Sequence, residues 1–234
     1  MRALRAAVTD RRDEPAGYEV KHERVTVTGV APLTIRSLRD AQQFADPLGA
    51  AAALGISSAQ WSLFGLLWPS GHHLAAAMAR RPLRSAERIL EIGCGLALAS
   101  LVLHRRGALV TASDSHLLAA AFLRENLRLN ALPPLPFVGG NWADAGGRHG
   151  FETIIGSDVL YERDEAGLLP RFIAGHAAPA SEILIVDPNR GNRVPFQRRM
   201  VALGYRVDET TIRDPLGPGG PYSGRLMHFT RATA

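Results

Sequence analysis

Short apolar runs alternate with longer amphipathic segments along the chain from residue 86 onward. The runs have the length of buried strands, and the segments between them carry apolar residues at helical spacing. Strands are predicted at 88–92, 108–113, 136–138, 151–155, 182–186, 205–213 and 224–231, with helices at 96–104, 114–130, 164–176 and 193–203. Because alternating strands and helices form parallel crossovers, this order predicts an α/β protein with a doubly wound, mostly parallel, seven-stranded Rossmann-like sheet and helices on both faces.

The first 60 residues show a different pattern. Alternating residues at 25–28 and a second apolar piece at 33–35 predict a short hairpin. Asp46 precedes a proline, and this pair predicts the start of a small helix because proline fits the first helical position. We therefore divide the chain into a small β/α extension, residues 1–60, that packs on a main domain, residues 61–234.

An uncharged stretch runs from Pro47 to Ala79. A membrane-spanning helix needs about 18 consecutive apolar residues, and here polar, glycine and proline residues at 55–60 and 69–73 divide the stretch into shorter pieces. The start of the chain also lacks the apolar run of a signal peptide. We therefore expect no membrane contact, and we expect this stretch to be buried against the core or to line a pocket.

Composition adds limits on the compartment and the partners. Cys94 is the only cysteine, which excludes an internal disulfide and a multi-cysteine zinc site and favours the cytoplasm. His72 and His73 are adjacent and would point about 100° apart on a helix, so we expect no metal site. The net charge of +5, from 27 basic and 22 acidic residues, is too small to indicate nucleic-acid binding, and the oligomeric state is left open.

The first predicted strand of the main domain runs directly into two glycines, Gly93 and Gly95. Glycines let the backbone turn sharply into a helix and pass close to a ligand. Asp114 ends the second strand, where its carboxylate can accept hydrogen bonds from both hydroxyls of an adenosine ribose. A dinucleotide fingerprint would need glycine at the position of Leu98, and no phosphate-loop motif is present. The alternative is an ordinary tight turn, in which Asp114 and Ser115 cap the next helix.

Residues 89–96, Ile-Leu-Glu-Ile-Gly-Cys-Gly-Leu, resemble motif I of the seven-β-strand (class I) methyltransferases that use S-adenosylmethionine. Further stretches follow that family in order and spacing. They are Leu67-Trp68-Pro69-Ser70-Gly71, the pair Asn126 and Asn130 in the second helix, Asn141-Trp142 after the third strand, 157–162 after the fourth and 185–190 after the fifth. The resemblance covers roughly residues 60–230.

Two of these stretches resemble a particular branch of the family. The residues Ser157-Asp158-Val-Leu-Tyr161-Glu162 resemble the Asp-x-x-Tyr motif of the family-16 protein lysine methyltransferases. The residues Ile185-Val-Asp-Pro-Asn189-Arg190 are similar to an Asp-Pro-Gly-Arg stretch in the enzymes that methylate lysines of the electron-transfer flavoprotein β subunit, with Asn189 in place of the glycine.

The resemblance implies S-adenosylmethionine as the cofactor and a set of residues that bind it. Glu91 would hold the methionine part, Trp142 would pack against the adenine, and Trp68 would wall the methionine pocket. The implied cofactor-binding residues are Trp68, Glu91, Gly93, Cys94, Gly95, Asp114, Ser115, Asn141, Trp142 and Ser157. Burial in the core is the alternative for both tryptophans. Cys94 is expected to pack rather than react, since no His or Asp beside it in sequence would activate it.

The implied catalytic pair is Asp158 and Tyr161. Asp158 would orient a lysine amine, and Tyr161 would cover it through the ring face or the hydroxyl. The alternative for Asp158 is a cap on the helix that follows.

The resemblance thus implies methylation of lysine side chains in a protein substrate. Three alternatives remain open. The first is a nicotinamide-type small-molecule N-methyltransferase. The second is a nucleic-acid methyltransferase, although the Asn/Asp-Pro-Pro-Tyr/Phe loop of the amino-adenine enzymes is not found after the fourth strand. The third is a module that binds the cofactor without turnover.

Overall fold

The computed structural model describes residues 17–143, 150–218 and 220–232, and its central feature is a seven-stranded sheet. The strands of the chain are β1 (Val20–Val25), β2 (Leu33–Leu38), β3 (Arg88–Ile92), β4 (Leu109–Asp114), β5 (Phe137–Gly139), β6 (Phe151–Ser157), β7 (Ala177–Asp187), β8 (Arg206–Asp214) and β9 (Tyr222–Arg231). The sheet order is β5-β4-β3-β6-β7-β9-β8. Every neighbouring pair from β5 to β7 is parallel, and β9 runs antiparallel between β7 and β8. The predicted fold class is confirmed.

Helices cover both faces of this sheet. They are α1 (Ala50–Ala53), α2 (Ser58–Trp61), α3 (Pro69–Arg80), α4 (Leu98–Arg105), α5 (Ala119–Leu129), α6 (Leu168–His176) and α7 (Arg193–Ala202), with a 3-10 turn at Leu63–Gly65. Ile89 packs into the core on the side of α3 to α5, whereas Leu90 and Ile92 pack on the side of α6 and α7, because successive strand residues point to opposite faces. Within the described residues, no helix is long and apolar enough to cross a membrane.

The strand order creates a crevice at one end of the sheet. From β3 the chain passes to β4 and β5 on one side, and then returns to β6 and β7 on the other. Loops that leave neighbouring strands in opposite directions open a crevice outside the carboxyl ends of the strands. Here the diverging loops follow Ile92 and Ser157, the last residues of β3 and β6.

The predicted N-terminal hairpin is present, although β1 begins earlier than the alternating stretch at 25–28. The outer edge of β2 is bound by α5. Asn126 Oδ1 accepts the N–H of Arg36 at 2.7 Å, and Asn130 Oδ1 accepts the N–H of Thr34 at 2.9 Å. Each carboxamide also donates to the carbonyl of the same strand residue, at 3.4 and 2.8 Å. Residues four apart on a helix share a face, so the two asparagines take the place of a neighbouring strand. The domain boundary at residue 60 stays a prediction.

Several helices begin later than predicted; α4 begins at Leu98 rather than at residue 96, and α6 begins at Leu168 rather than at residue 164. Helix α5 begins at Ala119, so Asp114 and Ser115 do not cap it. The helix predicted from Asp46 begins at Ala50. The Asp46 carboxylate nevertheless accepts two backbone N–H groups of that first turn, both at 3.0 Å, so the start signal acts from outside the helix.

A charged network closes the opposite end of the sheet from the crevice. Arg81 is 11% exposed, and its guanidinium binds Glu87, just before β3, and Glu182, on β7. Arg84 reaches both carboxylates at 2.7 Å but is 59% exposed. Burial acts to raise the pKa of Glu87 and Glu182, but hydrogen bonds from Arg81, and from His228 to Glu182, outweigh it and lower both to about 2.

Replacing Arg81 should therefore destabilise the fold strongly. We expect Arg81→Leu to lower the free energy of unfolding by about 3–5 kcal/mol at pH 7, because it removes a shielded partner from the buried Glu87 carboxylate and from the partly buried Glu182 carboxylate. The matched control Arg84→Leu removes an exposed partner of the same carboxylates and should cost less than about 1 kcal/mol. Urea unfolding of both variants measures the difference.

The pH dependence of stability gives a second check on this network. Carboxyls with pKa values lowered in the folded state stabilise it above pH 4.5, and that stability is lost as the pH falls towards 2. The difference in the free energy of unfolding between wild type and Arg81→Leu should therefore become smaller below pH 4.5. Equal losses in the two variants at pH 7 would contradict the network.

Candidate active site

The crevice holds a cavity of about 860 Å³. All twelve residues that the sequence singled out lie along its wall. They are Trp68, Glu91, Gly93, Cys94, Gly95, Asp114, Ser115, Asn141, Trp142, Ser157, Asp158 and Tyr161. Five separate segments of the chain supply them, and the sheet topology brings these segments to one edge. The cavity wall shows that these residues are neighbours, while the role of each stays a prediction.

The loop after β3 requires its glycines. Gly93 has φ 55° and Gly95 has φ 51°, both in the left-handed region that favours glycine. A Cβ on Gly95 would lie 2.8 Å from the carbonyl oxygen of Phe64, which is a backbone atom, and one on Gly93 would lie 2.9 Å from the Val159 side chain. The turn therefore depends on glycine both for its conformation and for the close approach of the chain before α3.

Asp114 connects β4 to this glycine turn. Its Oδ2 accepts the N–H of Gly95 at 2.8 Å, and its Oδ1 accepts the N–H of His116 at 2.8 Å. Burial raises the pKa of Asp114, and the backbone N–H groups act against that rise. The carboxylate keeps further lone pairs on the cavity side, since a carboxylate has about four acceptor positions.

Glu91 is buried beneath the same turn, with 3% of its surface exposed. Its Oε2 accepts the N–H of Ser100 at the start of α4, at 2.8 Å. Burial raises the pKa of Glu91 to about 7, although hydrogen bonds from Ser100 oppose the rise and Asp114 adds to it. A buried carboxyl that is about half ionised at neutral pH is suited to receive a cationic group of a ligand.

Cys94 behaves as a packing residue. It is 8% exposed, and burial raises the pKa of its thiol well above the ordinary value. The thiol is therefore protonated at neutral pH, and a protonated thiol is a poor nucleophile. Cys94 contributes to the site through its backbone. Its N–H donates to the carbonyl oxygen of Ser113 at 2.9 Å and so connects the turn to β4.

Aromatic side chains form the walls of the cavity. Trp68 is 36% exposed and its indole N–H donates to the carbonyl of Leu63 at 2.9 Å. Trp142 packs against the core on the side of α6 and α7 while it also lines the cavity. Asn141 Oδ1 accepts the N–H of Ala143 at 2.8 Å and holds the loop after β5 in a turn.

The uncharged stretch 47–79 lines the cavity, as its composition predicts. Phe64, which the sequence did not single out, stacks on His116 with 3.7 Å between ring centroids and an interplanar angle of 11°. Burial lowers the pKa of His116 to about 4, so the ring is neutral at pH 7. The lack of charges across the stretch was the signal that marked this wall, but no pattern distinguished Phe64 among its apolar neighbours.

Asp158 stands at the carboxyl end of β6 in an unusual conformation. Its φ of 58° lies in the left-handed region, and its N–H donates to the carbonyl of Val186 at 2.9 Å. The next helix, α6, has Gly167 at its N-cap, and the first two helical N–H groups, of Leu168 and Leu169, donate to the Asp164 carboxylate at 2.8 and 3.0 Å. Asp158 is therefore not the cap of that helix, and the strained backbone instead aims its side chain at the crevice.

Asp158 has a partner that the sequence did not assign to it. Arg190, from the loop after β7, donates to Asp158 Oδ1 through Nε at 2.6 Å and Nη2 at 2.5 Å. Tyr161 stands beside this pair with 46% of its surface exposed. Partial burial, and then the charge of Glu162, raise the pKa of Tyr161 to about 12. The phenol is thus neutral at pH 7 and can donate a hydrogen bond but cannot act as a base.

Solved structures match this chain in fold at low sequence identity, while no family model and no curated protein matches it. A methyltransferase from Pyrococcus furiosus has a TM-score of 0.55 and 19% identity, covering 70% of this chain and 83% of its own. The magnesium protoporphyrin IX methyltransferase of Synechocystis, solved with bound S-adenosylmethionine, has a TM-score of 0.55 and 18% identity, covering 70% and 80%. This chain has the fold of the class I methyltransferases.

The same fold also serves another reaction. The cyclase SpnF has a TM-score of 0.56 and 14% identity to this chain, covering 77% of it and 84% of its own length. Because one fold hosts several chemistries, the function of this chain has to be argued from its site.

The glycine turn provides a direct test of the site geometry. We expect Gly95→Ala to lower the free energy of unfolding by about 3 kcal/mol or more, because it adds a clash with the Phe64 carbonyl to the cost of a left-handed alanine. Gly107→Ala is the matched control, since Gly107 has φ 82° and open space around its Cβ position. It should cost about 1–2 kcal/mol. Thermal unfolding of both variants compares them, and a smaller loss at Gly95 than at Gly107 would be inconsistent with the close contact.

Proposed function

We propose that this protein is an S-adenosylmethionine-dependent methyltransferase whose acceptor is a lysine side chain of a protein. The observation that supports this cofactor is the hydrogen bond between the Gly95 N–H and Asp114, which places the glycine turn and the carboxylate together on the cavity wall. The fold neighbour solved with S-adenosylmethionine and S-adenosylhomocysteine supports the same cofactor. The single buried cysteine fits a reducing compartment, and we place the reaction in the cytoplasm.

The residues present fit this cofactor. The glycine turn lines the cavity with backbone rather than with side chains, and Asp114, which also lines it, offers free acceptor positions for the two ribose hydroxyls. Trp142 and Asn141 lie where the loop after β5 meets the cavity, on the side expected for adenine. Glu91 lines the same cavity from beneath the turn, where it would attract the ammonium of the methionine part. When bound, the cofactor supplies a methyl group on a positively charged sulfur.

The acceptor would enter from the side of Asp158 and Tyr161. Asp158 can accept a hydrogen bond from the amine, and the neutral Tyr161 hydroxyl or ring can cover it. Orientation of the amine in line with the sulfur–methyl bond is the main contribution that the protein makes to such a displacement. The Asp-x-x-Tyr resemblance supports a lysine as the acceptor.

A small-molecule amine is the second candidate. The segment before α3 covers one side of the cavity with apolar residues, and such a cover favours an acceptor that can be enclosed. These residues are Leu54, Ile56, Leu63, Phe64, Leu66 and Leu67.

One labelling experiment separates the two acceptors. The protein is incubated with S-adenosylmethionine labelled in its methyl group and with a cell lysate divided into a dialysed macromolecular fraction and a low-mass filtrate. Label in protein that survives nuclease treatment and maps to lysine supports the proposal. Label only in the filtrate supports the small-molecule candidate, and label in nucleic acid contradicts both.

Asp114 should contribute strongly to cofactor affinity. We expect Asp114→Ala to weaken S-adenosylhomocysteine binding by about 2–3 kcal/mol, because it removes charged acceptors of two ribose hydrogen bonds. Titration calorimetry measures the loss, and a thermal scan verifies that the variant is folded. Asp208→Ala, on the exposed edge strand β8, is the control and should bind normally. Unchanged affinity in Asp114→Ala would remove Asp114 from the cofactor site.

Cofactor binding should release a proton from Glu91. The pKa of this carboxyl is raised to about 7 in the folded chain, and a ligand ammonium beside it would favour the ionised form. The affinity for S-adenosylhomocysteine should therefore rise about tenfold between pH 6 and pH 8. Calorimetry at pH 6.5 in buffers of different ionisation enthalpy measures the released proton. Glu91→Gln should abolish this release, and a release that persists in the variant would point to another group.

A further inference from the structure

Arg190 is held at both ends by aspartates. Its backbone N–H donates to Asp187 Oδ1 at 2.7 Å, and its guanidinium binds Asp158. Asp187 is fully buried, so the anchor for the backbone of Arg190 is fixed. The Asp158 side chain is 13% exposed and the Arg190 side chain is 37% exposed, so the carboxylate is largely shielded from bulk water while the arginine stays partly in contact with it.

The contact uses only one oxygen of the Asp158 carboxylate. Arg190 Nε and Nη2 both bind Oδ1, at 2.6 and 2.5 Å. Among the residues that the structure describes, Asp158 Oδ2 accepts no hydrogen bond. Since Asp158 also lines the cavity, Oδ2 is the oxygen available to an acceptor. The carboxylate therefore presents one free oxygen whose negative charge is balanced by the arginine.

We propose that Arg190 is a positioning residue that allows the site to hold the acceptor amine in its uncharged form. The inference rests on the proposed function. Only the uncharged amine has the lone pair that forms the new N–C bond, while the S–C bond breaks and its electrons remain on sulfur. The methylated nitrogen then loses its extra proton to solvent.

The physical reason is a conflict that a lone carboxylate would create. An unbalanced negative charge beside a lysine amine raises the pKa of that amine and keeps it protonated, starting from an ordinary value of about 10.4. A carboxylate paired with Arg190 can still accept a hydrogen bond from the amine, but it stabilises the ammonium form much less. The pair can thus orient the acceptor amine without keeping it protonated.

Other charged and titratable groups surround this pair. The loop after β6 contributes Tyr161 and Glu162, and α7 contributes Arg193. The neighbouring strands contribute Asp114, Asp187 and Tyr222. Arg190 is the cation among them that contacts Asp158, because Arg193 binds Glu209 on β8. Removing Arg190 would leave the acceptor among carboxylates, which favours the protonated amine.

A single-turnover experiment tests this role without knowledge of the acceptor protein. The probe is the dialysed protein fraction of the lysate, with the enzyme and labelled S-adenosylmethionine in excess. The enzyme concentration is raised until the rate of label transfer no longer changes, so the rate reports the bound state alone. It is measured from pH 6 to pH 10 for the wild type, Arg190→Gln, Arg190→Lys and Arg193→Gln.

We expect Arg190→Gln to move the midpoint of the pH profile upward by about one unit or more, which is at least a tenfold loss at pH 7. The rate at high pH should return to within about threefold of wild type, and S-adenosylhomocysteine affinity should stay within threefold, under about 1 kcal/mol. Arg190→Lys keeps the positive charge, so the midpoint of its pH profile should lie close to that of the wild type. Arg193→Gln should leave the midpoint unchanged.

The outcomes separate the two proposals. If the wild type labels no protein lysine, the proposed function fails and the inference fails with it. If the wild type labels lysine and Arg190→Gln lowers the rate equally at every pH, Arg190 has only a structural role and the inference is overturned while the function stands. A midpoint shift of equal size in Arg193→Gln would also overturn it.

Discussion

The hydrogen bond from the Gly95 N–H to Asp114 Oδ2 is the constraint on which the crevice depends. It joins the loop after β3 to the last residue of β4, and so it fixes the spacing between the two loops at the floor of the cavity. Two glycines in left-handed conformations are needed to bring the backbone to that carboxylate. The contact with the Phe64 carbonyl then sets the position of the segment that forms the cavity wall.

Buried carboxyl groups have different partners at the two ends of the sheet. At the amino ends, Arg81 and Arg84 satisfy Glu87 and Glu182 so well that burial of the carboxyls does not prevent their ionisation. At the carboxyl ends, Asp114 accepts the backbone N–H groups of Gly95 and His116, Glu91 accepts that of Ser100, and burial still raises the pKa of both. The first arrangement stabilises the fold, whereas the second leaves two buried carboxyls on the cavity wall without a basic side chain as partner among the described residues.

Local patterns predicted the sheet, the glycine turn and Asp114, whereas most of the other residues around the cavity were predicted from the resemblance to a known family. The end of the second strand at Asp114 is readable from hydrophobic periodicity, and parallel strands bring their carboxyl ends to one edge whatever the side chains. The pairing of Asp158 with Arg190 was not predictable in the same way. Those residues lie 32 positions apart on different loops, and their contact depends on the left-handed backbone of Asp158, which no local pattern indicated.

The asparagines of α5 have a consequence for the edge of the N-terminal hairpin. A strand with unpaired N–H and C=O groups is a template for pairing with another chain, and β2 would be such an edge if it faced solvent. Asn126 and Asn130 occupy its hydrogen-bonding groups with side chains, so the strand offers no ladder to a second molecule. Conversely, a chain shortened to remove the hairpin would leave the fully buried Asn126 carboxamide without its partners on a helix of the main domain. The hairpin therefore gives the Asn126 amide its partners, and the helix occupies the outer edge of β2.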